Sequence, residues 1–343
     1  MAVAAPELII PSSPALPAAR GPVSEWLLSQ LQRPPHRVAP PPPTQEDSLD
    51  GDDFQLALYV CYELHYRGFR GVDSCWEWEP SLLDARRRLE GGFLRRVCDK
   101  VGPPLPCIDV GASLVELATS GDGPSLSCHM LEKGTLQQFR EFAIHRSAYQ
   151  LKEADPHTWG IPRLQGAPKA AMVAIQADEY GNGVAPDMHA SLFGDTMQGL
   201  GLDPSYGAYL DFIPGATLAT VNLVSLFGLH RRWRGALTGH LALFEMTSVK
   251  PMKRYVEALE RLSVTPHARR FYEVHVAADV EHEQIALREL AIGLAELEPE
   301  VAGDIAFGAR ALTNVESAFS AHLLRCWSAG MSSLRDGERL AGV

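Results

Sequence analysis

Only six cysteines occur in the 343 residues, Cys61, Cys75, Cys98, Cys107, Cys128 and Cys326, and none stands in a C-x-x-C pair. Scattered thiols of this kind argue against a disulfide framework and fit a reducing cytoplasm. The N-terminus also lacks the basic-then-apolar pattern of a secretion signal, so a cytoplasmic location is expected. Basic charge is in short supply: 31 Lys and Arg face 42 Asp and Glu, a net charge of -11. That balance excludes nucleic acid and anionic membrane as main partners, since both reward basic patches. Long apolar runs are missing as well. The longest, GATLATVNLVSLFGL at 215–229, is too short to span a bilayer and carries Thr217, Thr220, Asn222 and Ser225. It reads as a buried helix. The alternating pattern of β-strands is nearly absent, there is no internal repeat, and there is no G-x-S-x-G, P-loop or G-x-G-x-x-G.

What is present is helical periodicity. Residues 1–44 read as a disordered Pro- and Ala-rich tail, with PPHRVAPPPP as extended polyproline II. Within it, VSEWLLSQLQ is either part of the tail or a short helix docked through Trp26, Leu27 and Leu31. Residues 45–130 form an N-terminal helical extension with helices over 53–69 and 80–101 and a Gly-, Pro- and Ser-rich connection over 102–130. The main body spans 131–335. There the patterns predict helices over 135–155, 167–181, 185–201, 204–211, 215–228, 233–263, 266–297 and 300–333, with Pro251 kinking or splitting the sixth. The class is all-α, a bundle of long helices.

One segment of that bundle carries unusual chemistry. FYEVHVAADVEHEQ, residues 271–284, spaces His275, Asp279 and His282 as H-x-x-x-D-x-x-H. At about 100° per residue these three side chains leave the helix within a stripe roughly 60° wide. Val274, Ala277, Ala278, Ile285 and Ala286 flank them. The stripe is either a solvated charged face or half of a metal site, because a buried His-Asp-His row needs something to satisfy it. Upstream, Glu245 sits alone in the apolar helix ALTGHLALFEMTSVKP, and a lone Glu among Leu, Ala and Phe is rarely buried unless paired. His240 lies about 140° away from it and cannot share its stripe. Further upstream, Glu179 ends one helix and His189 begins the next across the short connector GNGVAP. Collected, Glu179, His189, Glu245, His275, Asp279 and His282 supply three carboxylates and three imidazoles, a set that two divalent ions could share.

The order Glu-x9-His, a lone Glu 56 residues on, then H-x-x-x-D-x-x-H resembles the haem-oxygenase-like di-metal oxidases, and more narrowly the bacterial iron-containing redox enzyme family. QLKEADPHTW, DEYGNG, ATVNLVSLFGLHRR and the 271–286 segment carry the likeness, which covers roughly residues 50–330. The resemblance implies a seven-helix haem-oxygenase-like bundle without haem, holding two Fe(II) ions per chain, or manganese in their place, with O2 as co-substrate. Glu179 and His189 match the first pair of ligands, Glu245 the middle carboxylate, and His275, Asp279 and His282 the final trio. The activity implied is C–H abstraction from a small amino-acid-like metabolite in natural-product biosynthesis, leading to desaturation, ring closure or fragmentation. N-oxygenation of an amine or guanidine and oxidative decarboxylation are the alternatives, and a metal-binding bundle without catalysis is the non-enzymatic one. A homodimer and a separate electron donor are expected partners.

Rival chemistries lack their motifs. No Glu has a His three residues later, as ferritin-like di-iron bundles require. HEQIA at 282–286 places Ala286 where a zincin needs its second histidine. Haem would need an early proximal histidine, for which His65 and His145 are the candidates, but carboxylates crowd the centre. Arg146, Tyr149 and Glu153 share a stripe ahead of the first ligand pair, and Asn222 is the polar residue of the buried helix. They either bind substrate, support the ligands from behind, or form a structural network. Glu63 and His65, on opposed faces of their helix, read as structural.

Overall fold

The computed structural model describes residues 13–43, 48–120 and 125–335, the side chains of Asp279 and Val280 excepted. Among these residues there is no strand, and the chain is an all-α bundle. The helices are α1 (Pro22–Leu31), α2 (Asp52–Glu63), α3 (Pro80–Val101), α4 (Val110–Thr119), α5 (Leu126–Glu132), α6 (Leu136–Gln150), α7 (Asp155–Thr158), α8 (Gly166–Glu179), α9 (His189–Gly199) and α10 (Gly215–Leu229). They continue with α11 (Arg234–Arg261), α12 (Pro266–Gln284), α13 (Gly293–Leu297) and α14 (Ala302–Ser328). A π-helical stretch, Ile285–Ile292, joins α12 to α13.

The centre of the bundle is α10, buried along its length from Gly215 to Gly228. That explains its uniformly apolar sequence: a helix covered on all sides has no solvated face to give it periodicity. Around it stand α2, α6, α11 and α14. The long helices α11 and α14 approach closely because glycine faces backbone at two points. A Cβ on Gly239 would sit 1.9 Å from the Ile305 carbonyl oxygen, and one on Gly308 would sit 2.0 Å from that of Ala236. This contact fixes the rod that carries Glu245.

Four expectations are settled or corrected, the first in favour of the docked short helix. The described part of the N-terminal segment, residues 13–43, is not a loose tail: α1 buries Val23, Leu27, Leu28 and Leu31. The Asp53 carboxylate accepts from the amides of Val23 and Ser24 at 2.9 and 2.7 Å, so apolar burial and a capping acid from α2 together hold the segment. The 102–130 connection contains two helices, α4 and α5, capped by Asp109 and Ser125. The helix predicted at 204–211 is a series of turns, because Gly207 adopts φ +76°. Finally, α11 runs through Pro251 without splitting, held along its length by α12 and α14.

Candidate metal centre

Local structure brings five of the predicted side chains to one place. Glu179 is the last residue of α8 and His189 the first of α9. The turn between them depends on Gly181, at φ +61°, where a Cβ would stand 2.6 Å from the backbone of Asp187 and Met188. Glu245 comes from the middle of α11, and His275 and His282 from α12. A sixth side chain, Glu153, enters from the turn after α6. Ala154, next in the chain, is held in the left-handed region at φ 76°.

These groups form two overlapping sets. In the first, Glu153, Glu179, His189 and His275 each offer a ligand atom, all within 4.8 Å of one another. In the second, Glu179, Glu245 and His282 do the same. Glu179 belongs to both. All six residues are between 2% and 7% exposed, so their charges are largely withdrawn from water. His189 Nδ1 lies 2.8 Å from Glu179 Oε2, His275 Nε2 3.8 Å from Glu153 Oε1, and His282 Nδ1 3.6 Å from Glu245 Oε2.

The outer nitrogens of two imidazoles are already engaged. His275 Nδ1 donates to the Phe271 carbonyl at 2.7 Å, one helical turn back, which leaves Nε2 as the lone-pair nitrogen facing inward. His282 Nε2 meets Asp178 Oδ2 at 2.9 Å, which turns Nδ1 toward Glu245. Carbonyl and carboxylate partners of this kind orient histidine ligands and raise their basicity. Asp178 is itself steadied by Asn182, whose amide donates at 2.6 Å.

Electrostatics follow from burial. Burial raises the carboxyls of Glu153 and Glu245 above their ordinary range, against the nearby imidazoles of His275 and His282. Burial would depress His282, but Glu245, Asp178 and Glu179 outweigh it and hold the imidazolium up to about 9. The Tyr149 phenol is pushed well above its usual value by burial and by Glu153, Glu179 and Glu245. Buried carboxyls raised in this way beside a charged imidazole favour a cation. Carboxylate and imidazole together suit iron, manganese and zinc, and two ion positions sharing Glu179 fit the donor set.

The remaining candidates divide. Tyr149 lines the small cavity beside the cluster, with Glu153, Glu179, Glu245 and His275. Arg146 does not line it: its guanidinium makes a two-pronged pair with Glu316, 2.9 and 2.6 Å, and lies over the Phe319 ring. Asn222 does not line it either, since its amide donates to Gln55 Oε1 and to the Gln55 carbonyl between α10 and α2. Of the roles left open for these two residues, their contacts are those of a structural network. The side chain of Asp279 lies outside the described residues. Glu153, assigned by its stripe to substrate or support, instead stands among the ligand-bearing groups. Periodicity missed this because the helix ends at Gln150 and a turn re-aims the side chain.

Of the two early histidines, His65 pairs with Glu77 at 3.2 Å and His145 lies between Thr217 and Ser333 at 2.6 and 3.1 Å. Glu63 is structural: it receives Lys152 Nζ at 2.9 Å and the Tyr206 hydroxyl at 2.7 Å.

A family model described as iron-containing redox enzyme matches residues 140–317, which include every ligand-bearing residue of the cluster. The chain belongs to the iron-containing redox enzyme family. Among solved structures, a CADD-like protein of unknown function from Nostoc punctiforme is similar in fold. Its 2.00 Å crystal structure matches with a TM-score of 0.52 at 17% identity, covering 64% of this chain and 98% of that one. Its 1.35 Å structure gives 0.50 at 16% identity, covering 64% and 96%. No curated protein matches. The family places the bundle in the haem-oxygenase-like class and makes this chain an iron-containing redox enzyme. Among the described residues no helix is long and apolar enough to cross a membrane.

Proposed function

We propose that this iron-containing redox enzyme is a non-haem di-iron oxidase that reduces O2 at the expense of a small organic substrate. The observation that carries the reading is Glu179 shared between two buried donor sets, each containing a second carboxylate and at least one imidazole. Glu153, His189 and His275 would hold one ion, Glu245 and His282 the other, with Glu179 between them. Two ferrous ions bound there supply the electrons and the coordination positions that O2 needs.

The chain's own residues supply the setting. The Phe271 carbonyl and Asp178 keep the outer imidazole nitrogens occupied, so that His275 Nε2 and His282 Nδ1 face the centre. Tyr149, Leu241 and Phe244 wall the cavity and exclude water from reactive species. Burial and the carboxylates of Glu153, Glu179, Glu245 and Glu316 hold the Tyr149 phenol in its protonated form. Its hydroxyl therefore acts as a hydrogen-bond donor rather than a base.

The substrate is a small molecule from which the enzyme takes a hydrogen atom, and electrons beyond those the substrate provides come from a separate donor. With Arg146 and Asn222 committed elsewhere, the preference for an amino acid rests on the family resemblance alone. The test is anaerobic loading with Fe(II), followed by stopped-flow absorption after O2 with and without candidate amino acids, amines and carboxylic acids. About two irons per chain are expected, with loss of iron in Glu245→Ala and His275→Ala and a substrate-dependent transient. Failure to bind iron, or unchanged binding in both variants, overturns the reading.

A further inference from the structure

A second, larger opening shares no residue with the donor sets. It is a groove of about 300 Å3 between the segment leading into α4 and the stretch from the end of the π-helix to the start of α14. Three small residues, Gly111, Ala295 and Ala302, leave the space unfilled, and Ile292 and Pro299 give it an apolar lining. Further apolar side chains stand uncovered around it. Ile108, itself a lining residue, is fully exposed, and Leu105 and Leu297, each two residues from a lining position, are 61% and 54% exposed. Apolar surface gathered at one opening and rimmed by polar groups marks a binding surface. The charge there is of one sign. Asp109 and Glu296 line the groove, both exposed, and no Lys, Arg or His does. Asp109 Oδ1 accepts from the Ala112 amide at 2.8 Å at the start of α4, which leaves Oδ2 for another partner. Glu296 makes no hydrogen bond or ion pair among the described residues.

We propose that this groove binds a small organic cation, an ammonium group carried on a hydrocarbon body. The ammonium meets Asp109 and Glu296, and the hydrocarbon covers Ile292, Pro299 and the side chain of Ile108, removing their apolar surface from water. The volume lies at the lower end of small-molecule sites, so one short chain or ring fills it. An organic anion is disfavoured, because it would add a negative charge to two that have no base beside them. The site is independent of the oxidase reading: none of its residues belongs to the donor sets, and it is tested without metal.

The test uses full-length protein without added metal, 13C-labelled at the isoleucine δ1 methyls and titrated with hexylammonium, propylammonium or hexanoate. Ile108→Val and Ile292→Val assign the two groove resonances, and Ile175→Val assigns a buried methyl of α8 next to the metal centre. Hexylammonium should shift the Ile108 and Ile292 methyls saturably and leave that of Ile175 in place. Propylammonium should bind about tenfold more weakly, since three fewer methylenes are partly covered. Glu296→Gln should raise the hexylammonium Kd about threefold, the loss of an exposed ion pair. Ala295→Phe, which fills the space, should raise it more than about tenfold, and circular dichroism reports whether each variant is folded. Glu296 is exposed, so its variant decides the matter if Ala295→Phe fails to fold. No saturable shift, hexanoate as tight as hexylammonium, unchanged affinity in the folded variants, or shifts at Ile175 in place of Ile108 and Ile292 overturns the site.

Discussion

Two buried charged regions lie a few residues apart in this bundle and solve the same problem differently. At one, Glu63, fully buried, meets the Lys152 ammonium at 2.9 Å and the Tyr206 hydroxyl at 2.7 Å, and Lys152 lies over the rings of Tyr59 and Tyr66. The chain brings its own cation, and the acid needs nothing from outside. At the other, beginning one residue later at Glu153, the groups acting on Glu153 and Glu245 are imidazoles and further carboxylates. Burial raises both carboxyls above their ordinary range. A buried acid closed by lysine is architecture. Buried acids gathered around imidazoles are a receptor for a metal.

Opposite responses to mutation follow, and they give the largest expected effects. Lys152→Met leaves Glu63 buried without its cation and should cost about 3–5 kcal/mol of stability, read by chemical denaturation, with iron content per folded chain unchanged. Glu179→Gln should do the reverse: the metal-free fold loses far less, while iron falls below one per chain because both donor sets lose their shared carboxylate. Iron loss in Lys152→Met at full folding, or two irons retained in Glu179→Gln, would erase the distinction.

Metal removal sharpens it next. The raised carboxyls of Glu153 and Glu245 and the raised imidazole of His282 all hold protons more tightly folded than unfolded. Such groups stabilise at low pH and lose that contribution as pH rises through their folded values, for His282 between about pH 7 and about 9. His65, His145, His157 and His240 are depressed by burial. They slope the other way, but only below about pH 6.5. Between pH 7 and 9 the melting temperature of the metal-free protein should therefore fall. Added Fe(II) or Mn(II) should raise it by an increment that grows with pH, since the ion replaces the protons. A constant increment would argue that the ion binds elsewhere.

The two regions also differ in how legible they were. The helical class, the buried α10 and five members of the cluster could be read from period and spacing, because helices convert sequence intervals into shared faces. Glu153 could not: its direction is set by the turn at Ala154, where local period ends. Arg146 and Asn222 stayed open between substrate and structure for the opposite reason. Sequence shows that a polar residue is buried, but not that Glu316 or Gln55, far along the chain, already answers it. The docking of α1 depended likewise on Asp53, a long-range cap.

A middling effect is expected behind His282. Asp178 is partly exposed and held below its usual range, although partial burial opposes this, by Asn182 and His282. Asp178→Asn keeps the shape but removes the charge that orients the imidazole. It should weaken iron binding about 10- to 100-fold, measured by competition with a chelator, while Asp84→Asn, an exposed acid paired with Arg87 and Arg88, should leave it unchanged.

The smallest effect tests the turn that separates the two regions. Lys152 points to Glu63 and Glu153 to the imidazoles, and the backbone between them and α7 passes through Ala154 at φ 76°. An L-residue there is strained by about 1 kcal/mol relative to glycine. Ala154→Gly relieves that strain but also frees the unfolded chain, so the net change in stability should stay within about 1 kcal/mol. What the strained alanine contributes is rigidity. If the turn is what aims Glu153, the glycine variant should bind its second iron more weakly by a few-fold, with the first unaffected, in an anaerobic Fe(II) titration. Identical isotherms would mean that packing of Glu153 against His275, rather than the turn, sets its direction.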